Sequence, residues 1–200
     1  MLILGLDIAT STGACWMDTD VPPSQWRCLA LGAEGAFQEE KACDLALFLH
    51  GEVKACRPDF VAIEMPQRSV TRFGKKQIDP ETGQEFAGTT INPNALQLSA
   101  LAAAATAAFD VAGVPWGLIA VGTWRSSYYG KGVKPLDGDW KSMAIQWAER
   151  QRIVLPPTKK AQMDAAEAVG IAHAWQRCTQ VPQRHEHAFM DLRMQIRRVA

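Results

Sequence analysis

Two hundred residues fit one domain, or one domain with appendages, and can bury a sizeable core; a hydrophobic content of 48% excludes wholesale disorder. Five cysteines, an odd number without CxxC spacing, argue against a disulfide framework or a zinc site and for a reducing compartment. The net charge of zero hides an asymmetry: residues 1–64 carry 4 Lys/Arg against 10 Asp/Glu, whereas residues 124–160 carry 8 against 3. One basic surface beside an acidic centre is therefore expected. With no signal-like start and no apolar run long enough for a bilayer, the expected protein is soluble, cytoplasmic and not a membrane partner.

The first predicted element organises the rest. Leu2-Ile3-Leu4-Gly5-Leu6-Asp7-Ile8 is an apolar strand running into a lone aspartate, and reads as the centre of a sheet. A carboxylate there needs a partner, a divalent cation or the Asx hydrogen bond of a capped turn. Ala14 to Met17 reads as a second strand doubling back through Gly13, and Trp26 to Gly32 as a third. Residues 38–56 have helical spacing, stopped by Arg57-Pro58-Asp59. Phe60-Val61-Ala62-Ile63-Glu64 then repeats the opening theme, an apolar strand ending in an acid. If the first and fourth strands are parallel neighbours joined through the helix, Asp7 and Glu64 meet at one sheet edge.

Residues 65–93 show no sustained period and read as a long flexible loop, basic through Arg68, Arg72, Lys75 and Lys76. An alanine-rich helix over 94–113, a fifth strand over 114–121, a basic glycine-containing loop over 123–139 and a helix over 140–152 follow. The loop contributes Arg125, Lys131 and Lys134. Trp124, Tyr128 and Tyr129 read either as stacking platforms for single-stranded nucleic acid or as core and loop anchors. The last helix, Met163 to Trp175, sets Asp164, Glu167, Ala168, Ile171 and Trp175 on one stripe. Helix-dipole preference explains one acid in a first turn, not two on a core-facing stripe. His173 lies off it and reads as a packing or solvent-facing residue.

Leu4-Gly5-Leu6-Asp7, Val61-Ala62-Ile63-Glu64 and Asp164-Ala165-Ala166-Glu167-Ala168 together resemble the RuvC-type Holliday-junction resolvases of the ribonuclease H-like superfamily, over roughly residues 2–177. The resemblance implies an α/β fold with a mixed five-stranded sheet of order 3-2-1-4-5 and helices on both faces. It implies a nuclease domain over 1–178 and a basic tail or helix over 179–200. The family's four metal-binding carboxylates map onto Asp7, Glu64, Asp164 and Glu167, and Lys141-Ser142 resembles its DNA-contacting lysine segment. Ile8-Ala9 stand where Pro-Gly is usual, and Glu167 where Asp is common, which points to a divergent, phage-type relative.

An all-oxygen ligand set suits two Mg²⁺ or Mn²⁺ ions, roughly 4 Å apart, clamping a scissile phosphate. Arg68, Arg72, Lys75, Lys76, Arg125, Lys131, Lys134 and Lys141 are the expected DNA-backbone contacts. The expected activity is paired nicking of branched DNA, foremost a four-way junction, by a homodimer. Flap, fork or RNA–DNA hybrid cleavage would use the same cluster. From a different class, Gly5 to Gly13 also resembles the first phosphate loop of sugar kinases and actin-like ATPases. Those proteins place glycine where Ala9 stands, need two such domains, and have no use for Asp164 and Glu167.

Overall fold

The computed structural model describes residues 1–32, 34–35, 37–66, 72–78, 83, 85–91, 94–136 and 138–197, with backbone alone at 72–78, 86–91, 94–95 and 196–197. Its strands are β1 (Leu2–Asp7), β2 (Ser11–Asp18), β3 (Arg27–Gly32), β4 (Phe60–Glu64), β5 (Arg72–Ile78), β6 (Glu85–Ile91) and β7 (Trp116–Ile119). Its helices are α1 (Gln38–Ala55), α2 (Asn94–Val111), α3 (Val121–Tyr129), α4 (Trp140–Arg150), α5 (Lys159–His173) and α6 (Gln183–Arg197). The central sheet runs β3-β2-β1-β4-β7, the expected 3-2-1-4-5 with β7 as its fifth strand. β1 pairs antiparallel with β2 and parallel with β4, and β4 is parallel to β7.

Because successive side chains of a strand point to opposite faces, the sheet divides the core in two. Leu4, Leu6, Val61 and Ile63 meet Leu45, Leu49, Leu101 and Phe109 of α1 and α2. Ile3, Cys15, Phe60 and Ala62 meet the other layer, built from α3, α4, α5 and α6. There Phe60, Trp175 and Phe189 interlock, with ring centroids 5.0 to 5.8 Å apart, so α6 is docked on the core. Asp110 at the end of α2 secures it further, accepting from Trp116 and Arg184 and pairing with His185 at 3.0 Å. No helix among the described residues is long and apolar enough to cross a membrane.

Three expectations are corrected. The 65–93 stretch, read as structureless, contains the antiparallel hairpin β5–β6, paired from Arg72↔Ile91 to Ile78↔Glu85. Backbone pairing builds it, with Gly83 at φ +69° between the strands, so apolar periodicity carried no sign of it. The 123–139 stretch begins as α3 rather than as loop. Its Val, Thr, Trp and Tyr residues are poor helix formers, but Trp124, Tyr128 and Tyr129 are buried, and Gly130 at φ +104° ends the helix. Finally, α5 starts at Lys159 under the Thr158 N-cap, so neither acid lies in its first turn.

Candidate active site

Strand parity brings the first two acids together. Asp7 lies on the same face of β1 as Ile3 and Gly5, and Glu64 on the same face of β4 as Phe60 and Ala62. The parallel register pairs Leu6 with Ile63, so both carboxylates emerge at the same edge, toward the layer that holds α5.

Two glycines then let α5 lie directly on the sheet. A Cβ at Gly5 would stand 2.3 Å from the Ala168 carbonyl oxygen, and one at Gly13 only 1.9 Å from that of Asp164. Gly13 is also the cross-strand partner of Asp7. The contact that presses α5 against β2 therefore delivers Asp164 beside Asp7, with Glu167 one turn further along. Asp7, Asp164 and Glu167 are 9%, 5% and 5% exposed, while Glu64 is partly buried.

The cluster is charged and partly satisfied. Burial pushes the Asp7 carboxyl well above its ordinary range, and the charges of Glu64 and Glu167 push it further. Glu64 is also raised, by burial first, although a hydrogen bond from Trp124 opposes this. That bond runs from the indole Nε1 of a fully buried Trp124 to Glu64 Oε2 at 2.7 Å. Arg125 Nη2 donates to Glu167 Oε1 at 3.0 Å, its guanidinium 5.2 Å from the Trp124 ring and 4.6 Å from the Trp140 ring. Lys141 Nζ donates to Asp164 Oδ1 at 2.7 Å and lies 3.5 Å from Glu167 Oε2. Burial lowers that ammonium's pKa, but the hydrogen bond to Asp164 and the surrounding negative charges outweigh it and hold it raised.

All four sequence-predicted acids thus fall in one electrostatically coupled cluster. Among the described residues, no three Asp, Glu, His or Cys side chains converge closely enough to hold one ion. The chemistry of the donors nonetheless suits a hard cation: they are all oxygen, and Asp164 Oδ2 is buried without a hydrogen-bond partner. Arg125 and Lys141, expected on DNA, are instead engaged with the cluster itself. Lys131 and Lys134 are exposed on the loop that follows α3. Arg68 lies outside the described residues, and Arg72, Lys75 and Lys76 lie on β5, where only backbone is described. Trp124, Tyr128 and Tyr129 are buried and cannot serve as stacking platforms.

The sequence reading missed Trp124 as the partner of Glu64. The available signal was topological: the turn after β7 opens at the sheet edge where β4 ends, so the next helix has to face Glu64.

No family model matches the sequence, and no curated protein resembles it at sequence level. Solved structures do resemble the fold. Thermus thermophilus RuvC matches over 87% of this chain and 92% of its own, with a TM-score of 0.57 and 17% identity. The fold is RuvC-like. The T. thermophilus RuvC in complex with Holliday junction substrate matches over 87% of this chain and 91% of its own, with a TM-score of 0.54 and 16% identity.

Proposed function

We propose that this RuvC-like chain is a divalent-metal-dependent endonuclease that resolves four-way DNA junctions by paired nicks, acting as a homodimer. The observation that carries this reading is the gathering of Asp7, Glu64, Asp164 and Glu167 from two strand ends and one helix, with a buried Asp164 oxygen left over. Four carboxylates this close repel one another and require cations or protons. The likeness to a resolvase solved with its junction substrate supports the choice of substrate.

Asp7, Glu64, Asp164 and Glu167 would hold Mg²⁺ or Mn²⁺, two ions per site. When bound, these would supply an activated water and stabilisation of the leaving 3′ oxygen. The chain's own part is to prepare the site. Trp124 fixes the orientation of Glu64, and Arg125, stacked against Trp124 and Trp140, fixes Glu167. Gly5 and Gly13 set the height of α5 above the sheet, and with it the spacing of the acids. Lys131 and Lys134, with the basic residues of 65–93 (Arg68, Arg72, Lys75 and Lys76), would bind the phosphate backbone and supply affinity with little sequence information.

The test is cleavage of labelled junctions with Mg²⁺ or Mn²⁺. Asp7→Asn, Glu64→Gln, Asp164→Asn and Glu167→Gln should each suppress nicking by orders of magnitude while junction binding and the thermal melt survive. Full activity in any two of these variants would sink the reading.

A further inference from the structure

Among the described residues, two cations sit on the acid cluster, and they differ in how firmly they are held. Arg125 is clamped: its guanidinium lies 5.2 and 4.6 Å from the rings of Trp124 and Trp140, its side chain is only 24% exposed, and it sits on Glu167. Lys141 has no such clamp. Its side chain is 44% exposed, and its ammonium reaches in to Asp164 Oδ1 at 2.7 Å and to Glu167 Oε2 at 3.5 Å. The backbone at the base of that side chain is fixed, because Asp139 caps α4 by accepting from the amides of Lys141 and Ser142. A flexible four-carbon stem on a fixed base can swing out to solvent without disturbing the fold.

Resting on the metal-dependent reading above, we propose that Lys141 is an exchangeable counter-cation that holds the place of a divalent ion at Asp164 and Glu167 and lowers the protein's affinity for it. Asp164 Oδ1 is taken by the ammonium while Oδ2, buried, has no partner. A divalent ion using Asp164 and Glu167 therefore competes with Lys141 for the same two side chains. The apparent metal affinity falls by the fraction of molecules in which the ammonium is withdrawn. Once withdrawn, the ammonium is available to a DNA phosphate, which couples the binding of metal and DNA in the same direction.

The test is a titration of the DNA-free protein with Mn²⁺, followed by electron paramagnetic resonance of the free ion. A hydrogen bond between charged groups is of a size to shift affinity by about tenfold, so Lys141→Gln should bind Mn²⁺ roughly tenfold more tightly than wild type. Lys141→Arg, which keeps the charge, should stay as weak as wild type. Lys54→Gln, at an exposed position on α1 across the sheet from the cluster, should leave Mn²⁺ affinity unchanged. If Lys141→Gln binds Mn²⁺ no more tightly than wild type, or Lys54→Gln gains as much, the exchange role is overturned while the nuclease reading stands. If wild type and every variant fail to bind Mn²⁺, both fall together.

Discussion

At the scale of single residues, the site stores an electrostatic penalty that can be measured without any substrate. Asp7 is buried beside Glu64, Glu167 and Asp164, and its carboxyl is raised well above its ordinary 3.8. The sign follows from linkage: a carboxyl raised in the folded state favours folding while protonated and opposes it once ionised. Its contribution is fully present below the unfolded pKa and is lost as pH rises through the folded value. Asp7→Asn removes the group that ionises. In metal-free protein, the variant should match wild type in thermal stability below about pH 4 and exceed it progressively above that, up to a plateau. Melting curves across pH, with chelator present, would measure the gap. An Asp7→Asn protein less stable than wild type at neutral pH would mean that Asp7 is a satisfied structural acid. Added Mn²⁺ should narrow the gap by stabilising wild type more than the variant, which lacks one of the four ligands.

At the scale of elements, the decisive contact is α5 on β1 and β2. A methyl group at Gly13 would sit 1.9 Å from the Asp164 carbonyl oxygen and 2.3 Å from its carbonyl carbon, both backbone atoms that cannot swing aside. Gly13→Ala should therefore lift the helix, costing on the order of 3 kcal/mol and lowering the melting temperature by roughly 6–12 °C. Cleavage should fall at least tenfold even well below the melt, since Asp164 moves with the helix. Gly51→Ala, in open space on α1, is the control and should leave both unchanged or slightly improve stability. This element also shows what was legible in the sequence. Spacing alone placed Asp164 and Glu167 on the buried stripe of one helix, and apolar strands ending in acids placed Asp7 and Glu64 at one sheet edge. Neither spacing nor composition could show the clamp on Arg125 or the indole on Glu64. Those depend on α3, a helix whose own residues do not favour helix and which exists because Trp124, Tyr128 and Tyr129 are buried by distant parts of the chain. The β5–β6 hairpin was hidden for the parallel reason that its order lies in backbone pairing.

At the scale of the whole molecule, the question is whether recognition is of branched structure or merely of phosphate. The acidic cluster lies at one sheet edge; Lys134 lines a hollow with Arg125 and Trp140 beside it, and the 65–93 segment leaves β4 directly after Glu64. On the proposed reading, basic segments from two parts of the chain would each take one arm of a splayed junction, whereas a linear duplex would offer only one path. Salt reports the shared, unselective term: affinity for any DNA should fall steeply with ionic strength as counterions are displaced from phosphates. Competition isolates the selective one. A labelled four-way junction, held at fixed salt, should be displaced by unlabelled junction at concentrations at least tenfold lower than by linear duplex of equal length. Sedimentation of the bound species should show two copies of the 21.9 kDa chain per junction, because two opposed strands need two sites. Equal displacement by linear duplex would remove structure selectivity while leaving the carboxylate chemistry untouched. Faster cutting of an RNA–DNA hybrid than of any junction would transfer the same cluster to a different substrate, and a single bound copy would leave paired nicking without its second active site.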